Sequence, residues 1–205
     1  MLRPLTLCLG TVLGVSLGSL PAIATPDTED AADDVVIVES VALGTNPDLP
    51  WSETVQINDP FEGSFIGVFD RHSFSDRILN TDVHVEVQSL WTQDFIRVLS
   101  IVRDRDCLSQ PSGVIPARSC SEFSNARNIT QLFIKIEDDV FQLAGQGSTF
   151  VVEDDLAIAL QNAPDAIISI RLVSESGETI DSEIGEGTVT AWESVYGLEA
   201  IAEAP

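Results

Sequence analysis

The chain has 205 residues, 44% of them apolar, and a formal charge of −23 from 33 acidic and 10 basic side chains. That length suits one domain with a real hydrophobic core. Such a charge repels phosphate backbones and anionic headgroups, which excludes generic nucleic-acid or membrane-surface binding.

Residues 1–24 read as a secretory signal peptide. Arg3 supplies a positive start, residues 5–20 are apolar, and Pro21 breaks the run. Ala22-Ile23-Ala24 then puts small residues at the −3 and −1 positions of a cleavage site. The apolar run falls short of the roughly 18–20 residues that cross a bilayer, and Gly10, Gly14 and Gly18 weaken it as a permanent helix. Export to the periplasm or the extracellular space is therefore expected, with no membrane span in the mature chain. Loss of Arg3 leaves nine bases against 33 acids, a net charge of −24.

Residues 25–34 are acidic and poor in apolar side chains, the composition of a disordered linker. The first strand is expected over residues 35–43, followed by a loop over 44–50. Residues 53–58 and 64–70 read as extended, separated by the turn signals Asp59-Pro60 and Gly63. Val83, Val85 and Val87 alternate with His84, Glu86 and Gln88, as a half-buried strand requires. Residues 95–102 are apolar on both faces and predict a central strand.

A hairpin is expected over residues 131–144 with a turn at Asp138-Asp139. That turn pairs Ile136 with Phe141 and Ile134 with Leu143 on one face, and Lys135 with Gln142 on the other. Glu153-Asp154-Asp155 supplies a helix N-cap and first turn, Leu156 and Leu160 an apolar stripe, and Pro164 an end. Beyond it, Ile168, Ile170 and Leu172 alternate with polar residues, and Ser176-Gly177 marks a turn. Residues 180–184 and 188–196 read as extended, and residues 200–205 as a frayed tail. The fold expected is mainly β: an antiparallel β-sandwich or distorted barrel with one short α-helix, forming a single domain over residues 35–199.

Cleavage leaves two cysteines, Cys107 and Cys120. In an exported chain, parity predicts a disulfide between them, stabilising by about 3 kcal/mol in the chain-entropy view. Charge is unevenly spread. Residues 25–70 hold eleven acids and no base, residues 71–135 seven acids and eight bases, and residues 136–205 fifteen acids and one base. The central arginines are expected to pair with carboxylates from the flanks, or else to face an anionic partner. The loop between the cysteines, with Arg103, Arg105 and Arg118, is the first candidate binding surface. Trp192, sharing an expected strand face with Thr190, Ser194 and Tyr196, is the second. It would act with Trp51 and Trp91 as a stacking platform, although aromatics in a sandwich mostly fill cores.

Catalytic signatures are missing: there is no G-x-S-x-G, H-E-x-x-H or Walker loop. His72 with Asp70 and Ser73 or Ser75 permits a triad only by arithmetic, and His84 beside Glu86 reads as a surface histidine. Paired carboxylates are inevitable among 33 acids and discriminate nothing. Calcium is the one cofactor considered, at Glu137-Asp138-Asp139, Glu153-Asp154-Asp155 or Asp104 and Asp106. None of these matches a calcium-loop pattern, and no metal site is assigned. Asn128-Ile129-Thr130 is a glycosylation sequon, relevant in a eukaryotic host. The expected role is a non-enzymatic binding or structural module of the cell envelope or extracellular space. The alternative is a secreted hydrolase acting on polymers there. Export predicts a mature chain that begins at Thr25; N-terminal sequencing that finds Met1 or Leu2 retained overturns it.

Overall fold

A computed structural model describes residues 35–44, 48–78, 81–108 and 119–197, the side chains of 76–82 and 104–123 excepted. The expected leader, linker and frayed tail lie outside these residues. The elements in chain order are β1 (Val36–Val38), β2 (Thr54–Asp59), β3 (Gly63–Ile78), β4 (Thr81–Thr92), β5 (Phe95–Leu108), β6 (Ser119–Arg127), β7 (Ile129–Ile136), β8 (Asp139–Ala144), β9 (Thr149–Val151), α1 (Asp154–Gln161), β10 (Ile168–Ser174), β11 (Thr179–Ile184) and α2 (Glu186–Gly197).

The strands form two sheets in a mainly β, sandwich-like architecture. Sheet A is ordered β1-β2-β3-β4-β5-β6, with β9 also pairing β5; sheet B is ordered β11-β10-β7-β8. All pairings are antiparallel except β1 with β2. As expected from its two apolar faces, β5 is interior to sheet A. Its start pairs β9 (Phe95↔Val151) and the rest pairs β6 from Ser100↔Arg127 onward. A bond from Val98 N to Ser148 O (2.9 Å) bridges the two stretches. Asn128 alone separates β6 in sheet A from β7 in sheet B, so one side of the sandwich is laced by the chain itself.

Two unlike layers cover the inner face of sheet A. Sheet B contributes Leu132, Ile134, Ile136, Ile168, Ile170, Leu172 and Ile180. The helices contribute Leu156 and Leu160 from α1, and Val189, Trp192, Val195 and Tyr196 from α2. Both pack against Val68, Val85, Val87, Trp91 and Ile96 in one core. Trp91 and Trp192 meet with ring centroids 4.6 Å apart. A smaller core lies on the opposite face, where Val41 and Leu49 cover Val55, Ile57, Phe69 and Leu90.

Four expectations change. Residues 188–196 are helical, so the fold has two helices. The buried set Thr188, Val189, Trp192, Val195 and Tyr196 is one helical stripe. The β-branched content of this segment imitates a strand, but tertiary packing overrides that weak preference. The first strand is only Val36–Val38.

The hairpin turns at Glu137-Asp138, with Glu137 at φ 52°, and pairs Ile136 with Asp139, Lys135 with Val140 and Ile134 with Phe141. Moving a two-residue turn by one position shifts every pair by two. Face segregation survives such a shift, so the apolar pattern cannot choose between the two registers.

The cross-link between Cys107 and Cys120 is also overturned. They stand directly opposite in the β5–β6 register, but among the described residues no disulfide is formed. Opposition in a ladder is not by itself a bridge: a disulfide needs Cβ atoms roughly 3.5–4.5 Å apart, at or below the low end of the about 4.5–5.5 Å usual for opposed strand positions. The backbone ladder closes the loop instead.

The core is tight where the chain returns from sheet B. A Cβ on Gly145 would lie 2.5 Å from the Thr149 carbonyl oxygen and 2.6 Å from the Phe150 ring. Urea unfolding should find Gly145→Ala destabilised by about 1–3 kcal/mol through overpacking. It should find Trp192→Ala destabilised by about 3–5 kcal/mol through the lost core volume. A neutral Trp192→Ala would contradict the buried Trp91–Trp192 contact.

Candidate functional site

The two covering layers meet over the middle of β3. Val68, Asp70, His72 and Phe74 occupy alternate positions there and share one face. Asp70 is 3% exposed. Its Oδ1 accepts from the Thr188 hydroxyl at 2.6 Å and from the Gly185 N–H at 3.3 Å. Gly185 O in turn accepts from the N–H groups of Thr188 and Val189, which makes Gly185 the N-cap of α2. Asp70 therefore caps α2 from a distant strand, and its charge faces the positive end of the helix. Ser52 and Thr188 share a further hydroxyl–hydroxyl bond of 2.9 Å.

One step along β3, His72 Nδ1 accepts the Glu183 N–H at 3.2 Å and lies 3.0 Å from Ser182 Oγ. His72 thus ties the free edge of β11 in sheet B to β3 in sheet A.

Beside this seam lies a cleft of about 720 Å³, lined mainly by the outward face of sheet B. Register places two rows across that face. One is Val140–Lys135–Ser169–Glu183, and the other is Phe133–Arg171–Asp181. His72 and Phe74 complete the lining, with ring centroids 5.3 Å apart. Arg171 is held by Asp181 through bonds of 2.6 and 2.9 Å. That contact keeps the Asp181 carboxyl below the usual carboxylate range. Val140 is 60% exposed. The lining combines aromatic and aliphatic surface with a few polar groups, the general make-up of a small-ligand site.

The residues singled out by sequence do not converge here. Trp192 is 0% exposed inside the core, so no part of it reaches a surface. Trp91 is buried with it, and Trp51 packs edge-on to Phe69 beneath the Arg71 guanidinium. Arg103 is on the opposite face of sheet A, bonded to Glu86 at 2.7 Å. Burial pushes the Glu86 carboxyl up, but hydrogen bonds from Gln88 and Arg103 and the Arg103 and Arg71 charges outweigh it and leave the group below its ordinary range. The Arg105 side chain and all of Arg118 lie outside the described residues, as do the Asp104 and Asp106 side chains.

Pairing of central arginines with flank carboxylates is found at Arg97–Glu62 and Arg127–Glu178. Ser73 and Ser75 point to the face of β3 opposite Asp70 and His72, so the arithmetical triad does not assemble. The serine beside His72 is Ser182, 110 residues away in sequence. Among the described residues, no three His, Cys, Asp or Glu side chains converge to hold a metal ion, and no helix is long and apolar enough to cross a membrane. Sequence reading missed the cleft because its rows form only when four strands pair. The one local clue was Lys135 on the polar face of a recognisable hairpin.

Among known proteins, no family model, no curated protein and no solved structure matches the chain.

Burial raises the Asp70 carboxyl above its ordinary value of 3.8, and the bonds from Thr188 and Gly185 and the nearby His72 offset only part of this. A raised folded-state value means that the group stabilises most below 3.8 and that this contribution is lost as pH rises through the folded value. Asp70→Asn keeps an oxygen acceptor and stays neutral. Its stability relative to wild type should therefore improve steadily as pH rises from acid to neutral. Unfolding curves at several pH values check this, and a pH-independent difference would contradict it.

Proposed function

We propose that the chain is an exported, sandwich-like binding module that takes a small ligand in the cleft across sheet B. The observation that carries this reading is the cleft of about 720 Å³, within the roughly 300–1,000 Å³ typical of small-ligand sites. Its walls are the rings of Phe133, Phe74 and His72 and the exposed Val140, with polar groups at their rims. Export is supported by the leader-type composition of residues 1–24 and by an acidic surface suited to remaining dissolved.

The rival reading, a secreted hydrolase, draws on one observation: His72 Nδ1 stands 3.0 Å from Ser182 Oγ beside the cleft. Several features weigh against it. Ser182 is 4% exposed, and His72 Nδ1 also takes the Glu183 N–H. Asp70 is committed to Thr188 and Gly185 rather than to orienting the imidazole.

Amide chemical-shift mapping of the full chain against a set of small aromatic fragments tests the choice. Binding should move the resonances of Phe133, Lys135, Ser169 and Arg171 together. Phe133→Ala should weaken a bound aromatic fragment about tenfold, or about 1.4 kcal/mol. Shifts confined to other surfaces would count against the cleft. Turnover of an activated ester that vanishes in Ser182→Ala would favour the hydrolase.

A further inference from the structure

We infer that the ligand is a small monoanion with an apolar body, an aryl or alkyl carboxylate whose head group sits at Lys135 and Ser169 and whose body lies over Phe133 and Val140. This rests on the reading of the cleft as a binding site. Lys135 is the only lysine of a chain that carries 33 acidic residues. Arg97, Arg103, Arg127 and Arg171 are each held by a carboxylate, and Arg71 lies over the Trp51 ring. Among the described side chains Lys135 has no such partner, although carboxylates are abundant elsewhere on the surface.

Register explains why. The direct neighbours of Lys135 across the strands are Val140 and Ser169, and Phe133 precedes it on the same face. None of them is acidic, and Glu137, two residues after Lys135, has left the strand for the turn at φ 52° and makes no ion pair with it. Glu183 lies beyond Ser169, about two strand spacings or roughly 10 Å from Lys135. The free ammonium therefore faces an apolar floor with one hydroxyl beside it. A carboxylate there gains a charge-assisted bond from Nζ and a second bond from Ser169 Oγ. One charge fits and two do not, because a second would approach Glu183 and Asp181. A cationic head group would meet Lys135 itself.

The test titrates the full chain with 2-naphthoate and with its neutral counterpart naphthalene-2-carboxamide, following amide shifts and calorimetry. Naphthoate should bind about tenfold more tightly than the amide, the worth of one hydrogen bond to a charged group. Lys135→Gln should erase that difference between the two probes, and Ser169→Ala should narrow it. Lys135 is exposed on the outer face, so its replacement leaves the core intact. Equal affinity of wild type for both probes, with shifts in the cleft, overturns the anion inference and leaves the cleft as a site. Failure of both probes to move the Phe133 and Ser169 resonances overturns the two readings together.

Discussion

The inner face of sheet A at Val68, Val85, Val87, Trp91 and Ile96 is kept dry by two covering layers together. Sheet B shields one part and the helix pair the other. The joint between them consists of Gly185 alone, between the end of β11 at Ile184 and the start of α2 at Glu186. At such a joint the strand ladder has stopped and the helix ladder has not begun, so the backbone groups need outside partners. Asp70 supplies the acceptor for Gly185, and His72 supplies the acceptor for Glu183. Two side chains two residues apart on one strand thereby fix where the second sheet ends and the helix starts.

This arrangement explains an otherwise costly choice. A carboxylate as buried as Asp70 is usually matched with a cation. Here its compensation comes from a hydroxyl, an N–H and the end of a helix, with the imidazole of His72 one step away on the same face. The same two residues also decide the shape of the outer surface. By drawing the β11 edge against β3, His72 brings its own ring and that of Phe74 beside the outward face of sheet B. The joint that completes the core thus contributes a wall of the cleft.

Local patterns identified most of the strands. Period-two alternation marked β4 and β10, two-sided apolarity marked β5, and the acidic first turn and Pro164 bounded α1. The failures lie where the local pattern left more than one outcome open. α2 is capped by Asp70, more than a hundred residues earlier, so its Thr and Val content suggested a strand. The β7–β8 turn sits one position from its expected place because two registers give the same apolar face. Cysteine parity indicated a partner without the spacing of the strands that carry it. His72 entered only as part of an arithmetical triad, yet its bonds to Ser182 and Glu183 are among the longest-range side-chain hydrogen bonds of the described residues.

The position of Lys135 has a practical side. With a single ε-amine in the sequence, amine-selective reagents have one side-chain target besides the terminal amino group. Any fluorophore, spin label or surface linker attached by that chemistry will stand at the rim of the cleft between Val140 and Ser169. Conjugation designed merely to immobilise or visualise this protein would therefore obstruct the face of sheet B.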